Sequence, residues 1–282
     1  SATVQVVVSD MTHAADLSRA GWPVVASDLD GTLLGSDHAV ADRTVSAIDR
    51  VRAHGGRFLM VTGRPVRWIV ELAERLGTTD PVIALNGAVV WDPGSGEVMR
   101  SAPLDVDLIG GLIERLAGED PDLLWAVERP MRHARTPDFA PHLNADGAEV
   151  GPLDELLSGT ITKVLCRAER FHPDRFERIR TQVGDAAKVT HSGNEALIEI
   201  SAPGVHKAAT LAALVDEWSL RPDDVLAFGD QVNDEEMLGW AGWGVAMANG
   251  APHVRRMADE VTGTNDEGGV AHILEREFPE LG

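Results

Sequence analysis

Short runs of consecutive apolar residues alternate with segments whose apolar positions recur every three or four residues. That is the pattern of a parallel sheet wrapped by helices. Val24-Val25-Ala26 is the first run and leads straight into Asp28. Asp42 to His54 carries Val45, Ile48 and Val51 at helical spacing, and Gly55-Gly56 stop it. Phe58 to Val61 predicts a second buried strand ending at Thr62-Gly63-Arg64. Pro65 suits the first turn of a helix running to about Leu76, with Gly77 as its C-terminal stop. Val82 to Leu85 predicts a third strand, closing at Asn86-Gly87.

Past Trp91 the rhythm changes. Asp92-Pro93-Gly94-Ser95-Gly96 is a turn cluster. The stretch from there to Pro203 mixes a helix (Asp107 to Leu116), a Pro- and Arg-rich segment (Arg129 to Pro141) and strands, clearest at Ile161 to Cys166 and Ala196 to Ile200. Regular order resumes with a helix from Val205 to about Trp218, a strand Val225 to Phe228, and two short strands at Gly244 to Met247 and Glu260 to Thr262. The pattern predicts an α/β core over residues 22–90 and 203–282, interrupted by an α+β cap over 91–202. Residues 1–21 receive no role. A mobile second unit over a rigid sheet edge is a common way to build a lidded enzyme.

Composition narrows the class. With 282 residues, 44% hydrophobic and 25% charged, the chain is an ordinary globular one, which excludes disorder, collagen and coiled coil. No stretch approaches the roughly 20 apolar residues of a membrane span. Ser1 to Trp22 has a short apolar run beside Asp10 and no basic start, so no signal peptide is expected there. The lone cysteine, Cys166, excludes an internal disulfide framework and points to a cytoplasmic setting. A formal net charge of −20 should repel nucleic acid and anionic lipid. Any anionic substrate must therefore be held by a local cation-rich pocket or a metal.

Candidate chemistry gathers at the strand ends, where parallel sheets bind ligands. Asp28 and Asp30 follow one strand, Thr62 another and Asp230 a third, while Lys207 opens the helix before the last of these. Two carboxylates two residues apart can both approach one hard cation such as Mg²⁺. One carboxylate can attack phosphorus while its neighbour handles the leaving-group proton. D-x-D alone also occurs in solvated loops and in sugar-nucleotide transferases; the preceding strand and the following Gly31-Thr32 sharpen it here. Thr62-Gly63-Arg64 faces a helix N-terminus, which favours anions. Gly229-Asp230-Gln231-Val232-Asn233-Asp234 crowds acids after a buried strand, a costly arrangement unless a cation neutralises it.

The ordered set Asp28-x-Asp30-Gly31-Thr32, Thr62-Gly63-Arg64, Lys207 and Gly229-Asp230-x-x-Asn233-Asp234 resembles the haloacid dehalogenase superfamily of phosphatases. The long insertion is similar to that of the Cof-like branch with a C2B-type cap, whose relatives include mannosyl-3-phosphoglycerate and sucrose phosphatases. The resemblance runs from about Trp22 and includes Asn86-Gly87-Ala88 and Thr264 to Val270. Gln231 departs from it, standing where glycine is frequent. It implies a Rossmann-like parallel-sheet core, with Asp28 as nucleophile and Asp30 as acid and then base, its pKa above that of Asp28. It also implies Mg²⁺ on the Asp28 side chain, the Asp30 main-chain carbonyl and Asp230. Phosphoryl oxygens would be held by Thr62, the Gly63 and Leu29 N–H groups, Lys207 and Asn233, with Asp234, Arg64 and Asn86 in support.

The expected partner is a small phosphorylated metabolite, a sugar phosphate or phosphoglycerate-type glycoside, with no nucleic acid and no membrane. A phosphomutase and a non-catalytic phosphometabolite sensor are the alternatives. Selectivity is expected in the cap, where Arg129, Arg132, His133 and Arg135 form a basic segment in an acidic chain, with Ser192, Gly193 and Asn194 as further candidates. Arginine there would recognise a second anionic group.

Overall fold

Strand β1 (Val24–Ser27) is buried at every position, which requires cover on both faces of its sheet. The computed structural model describes residues 21–139, 147–168, 172–191 and 197–281. After β1 come α1 (Asp42–Ala53), β2 (Arg57–Met60), α2 (Val70–Leu76), β3 (Val82–Ala84), β4 (Val89–Asp92) and β5 (Glu97–Ser101). The next stretch holds α3 (Val106–Glu119), β6 (Leu124–Glu128), β7 (His133–Arg135), β8 (Glu149–Val150), α4 (Leu153–Leu156) and β9 (Lys163–Arg167). It continues with α5 (Pro173–Val183), β10 (Lys188–His191) and β11 (Leu197–Ser201). The chain then returns through α6 (Lys207–Glu217), β12 (Val225–Gly229), α7 (Glu235–Trp240), β13 (Trp243–Ala246), α8 (Pro252–Met257), β14 (Glu260–Val261) and α9 (Gly269–Glu277).

The main sheet is wholly parallel, in the order β14-β13-β12-β1-β2. A single bridge between Val61 and Ile83 attaches β3 beyond β2. Ile48 and Val51 of α1 pack with Ile273 and Leu274 of α9 in one apolar cluster. Leu211 and Leu214 of α6 pack with Met237 and Leu238 of α7 in another. The expected α/β fold with a Rossmann-like parallel sheet is present. Its register positions the site: Ser27 pairs with Phe228 on one side and Met60 on the other, so the residues that follow all three strands emerge side by side.

One stretch differs from the sequence pattern. The helix expected from Pro65 to Leu76 is a 3₁₀ turn, Val66–Trp68, followed by α2. Val66 and Ile69 are both fully buried, and a three-residue repeat turns both inward, as a 3₁₀ turn does. Asp92 to Gly96 is the turn of the β4–β5 hairpin, and Val89, Trp91 and Val98 of that hairpin pack in the same cluster as Leu29 and Val66.

A second sheet runs β10-β11-β9-β6-β7-β8, antiparallel except between β7 and β8. Helices α3 and α5 cover one face of it, through Ile109, Ile113, Leu116 and Ile179 against Trp125, Val127, Val164, Ile198 and Ile200. Side chains alternate along a strand, so Glu128, Lys163 and Glu199 occupy the other face. That face meets the core. Glu128 receives both Arg67 nitrogens (2.6 and 2.8 Å), Glu199 receives Asn86 (3.4 Å), and Lys188 reaches Glu236 of α7 (3.5 Å).

Candidate active site

Asp28 leaves the end of β1 with its N–H bonded to the Phe228 carbonyl (3.0 Å), which fixes it against β12. Lys207, at the start of α6, is wholly buried and donates to Asp28 Oδ1 (2.5 Å) and Asp234 Oδ1 (2.7 Å). The other Asp234 oxygen accepts from the N–H groups of Asp230 and Gln231, both at 3.1 Å. Asp234 thus ties the lysine to the loop that carries Asp230. Asp230 accepts from the Thr32 hydroxyl (3.1 Å) and the Gln231 amide (3.0 Å). Gln231, which departs from the family pattern, orients Asp230. Gly31 (φ +79°) is needed beside it, because a Cβ there would lie 2.5 Å from Asp230 Oδ2.

Three buried carboxylates face one ammonium in this cluster. Burial pushes the Asp28 carboxyl up to about 8; Lys207 pulls it down, while Asp234 and Asp230 oppose that pull. Burial and Asp234 raise Asp230 to about 6. Burial also depresses Lys207, but Asp234 and Asp28 outweigh it and keep the ammonium charged. The pocket therefore carries more negative charge than its lysine balances. One oxygen from each of Asp28, Asp230 and Asp234 lies within 4.8 Å of the others. Such a set of hard oxygen donors fits a divalent cation. Asp28 and Asp230 are the better placed pair, since Asp234 is wholly buried and already accepts three hydrogen bonds, one of them from the Lys207 ammonium, whereas Asp230 accepts two from neutral donors.

Thr62 lies beyond β2 at the same sheet edge, and its hydroxyl oxygen accepts from Arg64 N–H (3.0 Å), which leaves the hydroxyl proton to donate outward. A Cβ on Gly63 would sit 3.1 Å from Asn86 Oδ1, so the two loops touch. Asn86 Oδ1 also accepts from Asn233 (3.2 Å). Leu85, Asn86 and Gly87 all take positive φ, a strained run of the kind found at functional sites. The strain has a purpose in the packing: Thr210 of α6 donates to the Gly87 carbonyl (2.8 Å), seating the helix that bears Lys207. A Cβ on Gly87 (φ +103°) would come within 2.6 Å of the His206 carbonyl. Gly87→Ala should cost roughly 1–3 kcal/mol and should slow turnover, because the clash falls one residue before Lys207. Thermal melting and steady-state kinetics check this; an unchanged melting temperature would remove the account of the turn.

Asp30 is the site residue whose surroundings differ from expectation. Its side chain is 49% exposed and takes a bidentate ion pair from Arg64 (2.8 and 2.5 Å). Asp28, by contrast, is buried, and burial pushes its carboxyl up. In a continuing strand residues two apart would share a face, but β1 ends at Ser27 and the chain turns at Gly31 (φ +79°), so Asp28 stays inside while Asp30 lies at the rim.

The basic cap segment divides. Arg129 donates to the carbonyls of Ser158 and Leu156, and Arg135 to those of Thr136 (3.3 Å) and Pro137 (3.1 Å). Both guanidinium groups thus brace the cap's own loops. Arg132 is exposed, whereas His133 pairs with Glu128 across β6 and β7 on the face toward the core. Ser192, Gly193 and Asn194 lie outside the described residues. Sequence patterning did not single out Lys163, Glu199, Arg67, Glu128 or Asn249. The signal for the cap pair was present: Glu199 stands between Ile198 and Ile200, a carboxylate inside an apolar strand. Asn249 gives no such signal, yet it donates to the Gly31 carbonyl (2.8 Å) and accepts from Asn265 N–H (3.0 Å), bracing the loop beyond Asp28.

The signature of haloacid dehalogenase-like hydrolases matches residues 25–274 of this chain. The chain belongs to the haloacid dehalogenase-like hydrolase family. Its relatives place it among the Cof-like phosphatases of that family, and it is a phosphatase. One similar protein is the 5-amino-6-(5-phospho-D-ribitylamino)uracil phosphatase YitU of Bacillus subtilis (strain 168), 33% identical over 265 residues that span 90% of this chain and 97% of YitU. A second phosphatase of the same description and organism, YcsE, is 29% identical over 260 residues, 89% of this chain and 94% of YcsE. Among solved structures, a haloacid dehalogenase-like hydrolase from Bacteroides thetaiotaomicron superposes with a TM-score of 0.78 at 25% identity, over 91% of this chain and all of that one. Among the described residues no helix is long and apolar enough to cross a membrane.

Proposed function

We propose that this family member is a Mg²⁺-dependent phosphomonoesterase that hydrolyses a small phosphorylated metabolite, of the sugar-phosphate class, through an aspartyl-phosphate on Asp28. The observation that carries the reading is the buried Asp28–Lys207–Asp234 chain with Asp230 converging on it. Asp28 attacks phosphorus in line and the phosphorus–oxygen bond to the leaving alcohol breaks. Asp30, at the rim, protonates that alcohol and then takes the proton of the water that hydrolyses the intermediate. Lys207 holds the nucleophile in one position and, with Thr62 and the N–H groups of Gly63 and Leu29, receives the charge of the phosphoryl oxygens. Phosphoryl transfer asks a protein mainly for positioning and charge neutralisation, which is what these groups supply. Asp28, Asp230 and the Asp30 carbonyl would hold Mg²⁺, which when bound neutralises the charge between phosphate and carboxylates.

The relatives named for a phosphoribityl substrate support a polyol or sugar phosphate ester. A nucleophile held at this precision argues against a mere sensor of phosphorylated metabolites, which would need none. The cap we place between about residues 103 and 202, because its apolar cluster begins at Leu104 and ends at Ile200 while the β4–β5 hairpin packs with the core. A cytoplasmic setting is consistent with Cys166, a buried free thiol that burial pushes up to about 12.

Release of phosphate from p-nitrophenyl phosphate tests the reading. Chelation with EDTA should lower it by roughly a hundredfold or more, and added Mg²⁺ should restore it. Undiminished hydrolysis after exhaustive chelation would remove the assignment of the aspartates.

A further inference from the structure

The open face of the cap sheet carries ionic groups that no step above uses. Lys163 of β9 is 2% exposed and donates to Glu199 Oε2 of β11 at 2.7 Å. The same Glu199 oxygen accepts from Asn86 at 3.4 Å. Asn86 in turn contacts both loops that line Asp28: Gly63 on one side and, through Asn233, the Asp230–Asp234 loop on the other. Glu199 is thus one amide side chain away from the phosphate pocket, on the side from which the cap approaches.

The chemistry of that face decides what it recognises. Three cations at that face are paired with carboxylates: Lys163 with Glu199, Arg67 with Glu128 and Lys188 with Glu236. A second anionic group seated beside Asn86 would first meet the Glu199 carboxylate, with Lys163 already engaged by it. A carboxylate accepts hydrogen bonds only, at about four positions. Its natural partners are hydroxyl or amine N–H donors.

We propose that Glu199, held in place by Lys163, is a specificity-determining residue that binds the leaving group of the phosphate ester, accepting hydrogen bonds from an uncharged, donor-rich group such as a polyol. The inference deepens the phosphomonoesterase reading and rests on it. Asn86 couples this contact to the phosphate loops, so a leaving group seated on Glu199 is aligned with the Asp28 side chain. Lys163 holds the carboxylate in place, because a buried charge-assisted hydrogen bond at 2.7 Å with a second one from Asn86 restricts its rotation.

The test compares two phosphate esters in the full-length protein with Mg²⁺: ribitol 5-phosphate, rich in donors, and p-nitrophenyl phosphate, whose leaving group has none. Glu199→Gln should reduce kcat/KM for ribitol 5-phosphate about tenfold to a hundredfold more than for the aryl ester, chiefly through KM. Because Glu199→Gln leaves a buried ammonium without its carboxylate, the double variant Glu199→Gln, Lys163→Met is measured alongside, with thermal melting of both. An equal loss on the two esters in both variants would make the pair structural and overturn the proposal. So would a parent enzyme that prefers 3-phosphoglycerate to ribitol 5-phosphate. A parent that releases no phosphate from the aryl ester would instead bring down the phosphomonoesterase reading itself.

Discussion

Lys207→Met is expected to lose both stability and activity, and to lose more stability than any other single change at the site. The ammonium is wholly buried between Asp28 and Asp234 at 2.5 and 2.7 Å. Its removal leaves two carboxylates facing each other in a pocket that already disfavours charge. Breaking a buried ion pair from one side costs roughly 3–5 kcal/mol, which in a chain of this size lowers Tm by about 10 °C. Asp234 also holds the N–H groups of Asp230 and Gln231, so the loop beyond β12 should loosen at the same time. Turnover should fall about a hundredfold to a thousandfold beyond any loss of folded protein. Thermal melting and kinetics on the folded fraction separate the two effects. The double variant Lys207→Met, Asp28→Asn should recover part of the lost Tm, since it removes one of the two stranded carboxylates. No recovery would mean that the lysine stabilises the fold by packing and not by charge.

Asp28→Asn should abolish turnover, by about a thousandfold or more, and yet raise the stability of the metal-free protein. The amide has the shape of the carboxyl but cannot attack phosphorus, so no phosphorylated adduct should appear in an intact-mass measurement. The stability gain follows from the pKa. Burial lifts Asp28 from 3.8 to about 8, so between those values the folded chain holds a proton that the unfolded chain releases. Stability through this group is therefore lost as pH rises across that window. The difference in stability between Asp28→Asn and the parent, both in EDTA, should grow from pH 4 toward pH 8 and then level off. A difference that stays flat, or that shrinks with rising pH, would show that Asp28 is not held in a charge-disfavouring place. Activity bought at the expense of stability is the common arrangement at an active site, and here the excess carboxylates are what make the pocket fit for a divalent cation.

Much of this was legible along the chain because local rules carried it. Buried strands of a doubly wound sheet read as unbroken apolar runs, so β1, β2, β3 and β12 could be placed to within a residue or two. Ligand groups then had to follow those runs, and Asp28, Asp30, Thr62 and Asp230 do. The elements placed less well are those where tertiary contacts override local pattern. Val66 and Ile69 must both face the core, and that breaks the helix after Pro65 into a 3₁₀ turn and a shorter α2. The β4–β5 hairpin lies past the point where the rhythm of apolar runs changes, so the pattern assigns it to the segment 91–202, but Trp91 and Val98 pack it with the core cluster.

The order of strands and helices and the carboxylates at the strand ends were determined by the sequence alone, because each depends on residue type and spacing within a few positions. Only the folded structure decided that Asp28 is the buried acid and Asp30 the rim one paired with Arg64, that Arg129 and Arg135 brace cap loops, and that Glu199 meets Asn86. Apart from Arg135, whose partners lie one and two residues on, those facts join residues separated by tens to hundreds of positions, and charge in a protein is set by burial and by neighbours in space, which no local pattern records.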